Sequence, residues 1–284
     1  MKCIFNYFVV GFILLSTNVL GYAEDNKITA YFFNDSVNGF QFSDAYETHN
    51  MGLRFEKENQ FYQIDLGIVT PDMFEFENRF RTANRSFGEL ITLGFGKKEF
   101  VTNDSFNLKV FTKITSQGNF GISGLQSIIH QFANFQDDID LLETVRMPSQ
   151  TWFGIGKDLK FVKGEVSQKH QFGILSYAGT DRLSLQPYMN LEHELGSWSQ
   201  FGRLGVDFVI YDNIISAPPV KATVREIRPV LSFGLKKKFG PVEIHVSENL
   251  SLPSIESDSR LYARLFMSAS ISLKDFSALF PSKN

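Results

Sequence analysis

The stretch "RLSLQPYMNLEHEL", residues 182–195, decides the fold. Leu183, Leu185, Pro187, Met189 and Leu191 hold one set of alternate positions, and Ser184, Gln186, Tyr188, Asn190 and Glu192 hold the other. A period of two residues belongs to a β-strand with one apolar and one polar face. The same alternation runs through "FYQIDLGIV", where Tyr62, Ile64, Leu66 and Ile68 oppose Gln63 and Asp65. It returns in "SFNLKVFTKI", with Phe106, Leu108 and Val110 against Asn107 and Lys109, and again in "EIRPVLSFGL" and "RLYARLFMSASIS".

Working outward, such segments fall near residues 27–34, 49–57, 60–69, 87–97, 105–115, 150–166, 169–177, 182–194, 201–211, 222–236, 240–247 and 259–272. Taking 150–166 as one bent strand gives about twelve, an even number as a closed antiparallel barrel requires. The connections alternate in length. They are long at 35–48, 70–86 and 116–149, and short at "EKENQ", "KKEFVTND", "LGSWSQ" and "KKKFG". Short turns on one rim and long loops on the other are the pattern of a bacterial outer-membrane barrel, with the short turns in the periplasm. A soluble β-sandwich or lipocalin-like barrel would alternate as well. Thirty phenylalanines, suited to lipid-facing bands, favour the membrane barrel.

The beginning of the chain agrees. "MKCIFNYFVVGFILLSTNVLGYA" has an early lysine, an apolar run densest from Phe8 to Leu15, and small residues at Gly21 and Ala23. This reads as a secretory signal over 1–23, because the polar Asn6, Ser16, Thr17 and Asn18 leave the continuous apolar part short of a spanning helix. The barrel is then expected over 24–273 and a C-terminal extension over 274–284. Cys3, the one cysteine, lies inside the signal, so the mature chain has no thiol chemistry. With 28 Lys and Arg against 31 Asp and Glu, the net charge of -3 gives no basic field for nucleic acid.

If the first strand rises from the periplasm, Asn34 and Asp35 end it at the outer rim, and Asn50 begins the second strand beside them. The longest loop reaches the same height. Within it "SGLQSIIHQFANFQDD", residues 123–138, predicts a short helix capped by Ser123, with Leu125, Ile129, Phe132 and Ile139 as an apolar stripe. Gln126 and His130 stand one turn apart on one face. Such a helix is expected to lie against the outside of the barrel wall, opening a cleft toward lipid headgroups.

Four pieces in order, "NDS" after the first strand, "NMGLRF" in the second, "NRSFG" at 84–88 and "GISGLQSIIH" ending at His130, resemble the outer-membrane lipid A deacylase family of the LpxR type. The resemblance implies a twelve-stranded, calcium-assisted enzyme that removes the acyloxyacyl group ester-linked at the lipid A 3′-position. It places His130 on the general base and Gln126 on the glutamine four residues earlier, and it puts Asn34 and Asp35 on the rim pair. Asn50, or the displaced Thr48, stands where the family carries threonine, while the lysine expected in the second long loop is missing.

The residue types suit ester hydrolysis. Histidine titrates near neutrality and so serves as a base toward water. Asp35 with the Asn34 amide oxygen offers hard ligands for Ca²⁺. Arg79, Arg81, Arg85 and Arg146 lie in long loops where lipid A phosphates can be gripped, Arg79 and Arg85 first among them. His49, His193 and His245 have no supporting pattern. The expectation is therefore a monomeric outer-membrane esterase acting on lipopolysaccharide. Its rival is a barrel without chemistry: a small porin, an adhesin or a lipopolysaccharide-binding relative.

Overall fold

The computed structural model describes residues 26–34, 49–69, 73–75, 81–83, 87–100, 106–122, 146–165, 168–214, 216–220, 222–252 and 262–272. The strands are β1 (Lys27–Asn34), β2 (His49–Lys57), β3 (Gln60–Val69), β4 (Met73–Glu75), β5 (Arg81–Ala83), β6 (Gly88–Phe100) and β7 (Phe106–Gly118). They continue with β8 (Gln150–Glu165), β9 (Gln168–Gly179), β10 (Arg182–Leu195), β11 (Trp198–Asp212), β12 (Ile227–Phe239), β13 (Val242–Ser251) and β14 (Tyr262–Ser272). Twelve of these close an antiparallel barrel in the order β1-β14-β13-β12-β11-β10-β9-β8-β7-β6-β3-β2. Each pairs with its neighbour along the chain, except that β3 meets β6 across the small β4–β5 hairpin. Closure comes from β1 on β14, where eight consecutive residues from Lys27 to Asn34 pair with Ser272 to Leu265. β8 is a single strand of 16 residues, as the merging of 150–166 anticipates. The expected helix over 123–138, the signal and the C-terminal extension lie outside the described residues.

Alternation decides what faces where. On β10, Leu185 and Leu191 are exposed while Tyr188 between them is buried. On the outer phase of other strands Ile64, Phe95, Ile155, Ile174, Leu204 and Phe233 stand exposed. These side chains form the apolar band of a barrel built to face hydrocarbon. Both ends of the barrel wall, Lys27 and Ser272, sit on the rim of the short turns. Two of those turns pass through glycines in the left-handed region, Gly196 at φ 66° and Gly240 at φ 55°, where other residues are strained. The opposite rim carries the long connections with one departure: β9 and β10 are joined there by only Thr180 and Asp181. That tight turn is braced, since Asn213 donates to the Thr180 carbonyl through Nδ2 (2.7 Å) and to the Asp181 carbonyl through its backbone N (2.6 Å). Loop length therefore alternates less strictly than the sequence pattern implies.

Leu204 stands midway along β11 on the exposed phase, whereas Ile227 opens β12 at the rim. Replacing Leu204 by arginine is expected to cost ~2–4 kcal/mol and Ile227→Arg ~0–1 kcal/mol, because the penalty for a cation falls from midplane to interface. Urea unfolding in liposomes measures both; equal penalties would remove the membrane from the description.

Candidate functional site

Aromatic and charged side chains project into the lumen and pair there. Phe61 is buried between two cations, with the Arg54 guanidinium 4.2 Å and the Lys109 ammonium 4.4 Å from its ring centre. Tyr188 donates to Asp158 at 2.7 Å and lies under the Arg203 guanidinium, 3.9 Å from the ring centre. Its ring occupies the space beside Gly173, where a Cβ would collide with it, so the glycine makes room for the tyrosine. Toward the outer rim, Arg182 and Arg228 both donate to Asp207, with Asp212 3.9 Å from Arg182, and Tyr177 donates to both Asp181 oxygens at 2.9 Å. Paired in this way, the buried charges hold the inner side of the wall together.

The outer mouth is also covered. Val69 at the end of β3 packs with Met147, Leu90, Ala217 and Ile214. Ala217 and Ile214 belong to the β11–β12 connection, and β11 lies six places from β3 around a twelve-stranded ring. The connection therefore reaches across the mouth to the opposite wall.

On the outer face one rung of the wall stands out. The registers align Asn34 of β1, His49 of β2, Ile68 of β3, Glu89 of β6 and Gly118 of β7. By alternation this rung shares its phase with the exposed Leu53, Ile64 and Leu93. At ~4.8 Å per strand, Asn34 and Glu89 are roughly 14 Å apart along it. Ile68 and Glu89 are nonetheless buried, Glu89 completely. The cover over Glu89 includes the chain leaving β7: Phe120 N donates to Glu89 Oε2 at 2.5 Å and Ile122 N to the same oxygen at 3.2 Å. Where the connection returns, Met147 N donates to the Phe87 carbonyl at 2.7 Å, and the Arg146 guanidinium lies 4.9 Å from the Phe87 ring centre. Both ends of the longest loop are thus fastened to residues 87–89, the departing end on the outer phase at Glu89.

Among the expected site residues, Asn34 ends β1 at the outer rim on this rung. Asn50 lies one residue out of phase, on the inner rung that runs through Phe33, Gly67, Leu90 and Gln117. Asp35, Gln126, His130, Arg79 and Arg85 lie outside the described residues. Arg81 opens the small strand β5, and Arg146 forms a parallel bridge with Phe87. No three His, Cys, Asp or Glu side chains gather to hold a metal among the described residues. Glu89 was not among the sequence candidates, although "GELITLGF" carried a signal: it puts a carboxylate in step with Ile91, Leu93 and Phe95, on the face meant for lipid.

The architecture defines a class, the twelve-stranded antiparallel barrel of bacterial outer-membrane proteins. Among solved structures, LpxR from Salmonella typhimurium superposes with a TM-score of 0.71 at 11% identity, covering 86% of this chain and 99% of its own. The KdgM porin gives 0.46 at 6% identity (87% and 98% covered), and the translocator domain of the autotransporter NalP from Neisseria meningitidis gives 0.44 at 10% (95% and 97%). No family model and no curated protein matches the sequence. At these identities the likeness to LpxR concerns the fold.

The covered mouth has a direct consequence for conduction. The mature protein in planar bilayers is expected to give no steady ohmic pore, and removing 214–220 is expected to raise conductance. A stable large channel in the intact protein would contradict the closure described above.

Proposed function

We propose that the protein is a lipid A deacylase of the LpxR type, a calcium-assisted esterase cleaving the 3′-acyloxyacyl ester of lipid A at the outer face of the barrel. The observation that carries this reading is the seat of the longest loop. Its first residues bond to the outer-phase Glu89, on the rung that ends at Asn34. The chain that continues from there holds Gln126 and His130. Paired side chains in the lumen and a covered mouth favour chemistry at the rim over permeation.

In this reading His130 takes the proton from the attacking water, the general-base role that histidine side chains commonly fill. Gln126, four residues earlier in the sequence, orients the imidazole or the water. Asp35 and the Asn34 amide would hold Ca²⁺, which when bound polarises the ester carbonyl as a Lewis acid. Arg79 and Arg85 grip the lipid A phosphates. The outer leaflet supplies the substrate laterally, and a single chain is sufficient for the site.

Fatty-acid release from lipid A by the purified protein in detergent tests the mechanism. His130→Ala is expected to lower turnover by ~10²- to 10⁴-fold, the usual contribution of a positioned base. A chelator is expected to abolish release and added Ca²⁺ to restore it, with Asp35→Ala insensitive to the restoration. Wild-type turnover by His130→Ala in excess chelator would sink both assignments.

A further inference from the structure

We infer that Glu89 is a positioning residue for this reaction: its carboxylate, fixed on the barrel wall, docks the start of the segment that carries Gln126 and His130. The inference rests on the deacylase reading and adds to it a residue that touches neither substrate nor metal.

Three observations converge on it. Glu89 occupies the lipid-facing phase of β6, where a carboxylate is out of place unless something on the outside requires it. It is completely buried there, under chain that belongs to the β7–β8 connection. One oxygen, Oε2, accepts two backbone N–H groups two residues apart, Phe120 N at 2.5 Å and Ile122 N at 3.2 Å. These groups have left the β-ladder at Gly118, and the fully buried carboxylate serves as their acceptor. A carboxylate makes short, charge-assisted bonds and fixes the direction in which the chain departs. Gly118 lies on the same rung, and a Cβ there would come within 3.2 Å of the Phe120 ring, so the ring lies close against the wall. His130 follows Ile122 by eight residues in the sequence. Misplacing a catalytic group by about 1 Å costs up to ~10²-fold in rate.

The test uses the full mature protein with Glu89→Leu, which suits the lipid-facing phase, and Glu89→Gln, whose amide oxygen still accepts the two N–H groups. Heat-modifiable gel migration reports the barrel, limited proteolysis mapped by mass spectrometry reports the 123–145 segment, and fatty-acid release from lipid A reports turnover. Glu89→Leu is expected to keep the barrel, to be cleaved within 123–145 at least tenfold faster, and to lose ~10²-fold in kcat with KM little changed. Glu89→Gln is expected to recover most of both properties. Wild-type cleavage and kcat in Glu89→Leu overturn the inference, as does failure of that variant to form a barrel, since Glu89 would then serve folding. If His130→Ala is inactive while Glu89→Leu turns over normally, this inference alone fails. If His130→Ala is fully active, the deacylase mechanism fails and faster cleavage of Glu89→Leu still reports the anchor.

Discussion

A bilayer offers the backbone no hydrogen-bond partner, and the rest of this structure follows from that constraint. Each strand must find both neighbours, so β1 has to meet β14, and it does so over its whole length. Closure in turn sorts side chains by phase. Apolar residues go out to lipid, and everything charged must either go in and pair or lie at a rim. The Arg182, Asp207, Arg228 and Asp212 group shows the inward solution, with opposite charges from three adjacent strands neutralising one another in the wall's interior.

Glu89 breaks the sorting rule and thereby marks the place where the wall is not facing lipid. A carboxylate on the outer phase is tolerable at the rim only beneath a cover that bonds to it, and the chain at Phe120 and Ile122 supplies those bonds. Phe87 and Met147 secure the returning end a few residues away. The longest loop therefore begins and ends over the same short piece of β6, its departing end bonded to the outer-phase Glu89 and its returning end packed toward the mouth through Met147. Meanwhile the β11–β12 connection crosses the mouth to Val69. One connection crosses the mouth while the start of another is bonded to the outer phase of the wall.

Much of the architecture was legible in the sequence because strand alternation in a barrel is enforced on every residue. Leu185 and Leu191 against Tyr188 show why the pattern in 182–195 could be trusted, since lipid and lumen impose opposite demands on successive positions. Strand ends were less legible. β11 begins at Trp198, three residues before the pattern becomes regular, because an aromatic at the interface serves either phase. The short turn at Thr180 and Asp181 was hidden in the pattern of loop lengths, for its stability comes from Asn213 on another connection. The β4–β5 hairpin, three residues a side, is too short to show a period. Of the candidate site, Asn34 at the outer rim followed from the direction of β1, whereas Glu89 was written as an anomaly of phase in "GELITLGF", which only the register turns into an anchor.

The most direct measurement is the mass of lipid A extracted from the outer membrane of cells that express the protein, set against the same cells without it. The account predicts a species lighter by one acyloxyacyl group from the 3′-position when the protein is present. An unchanged acyl set, with the barrel folded in the membrane, would contradict it and leave a closed barrel whose long outer loop serves binding alone.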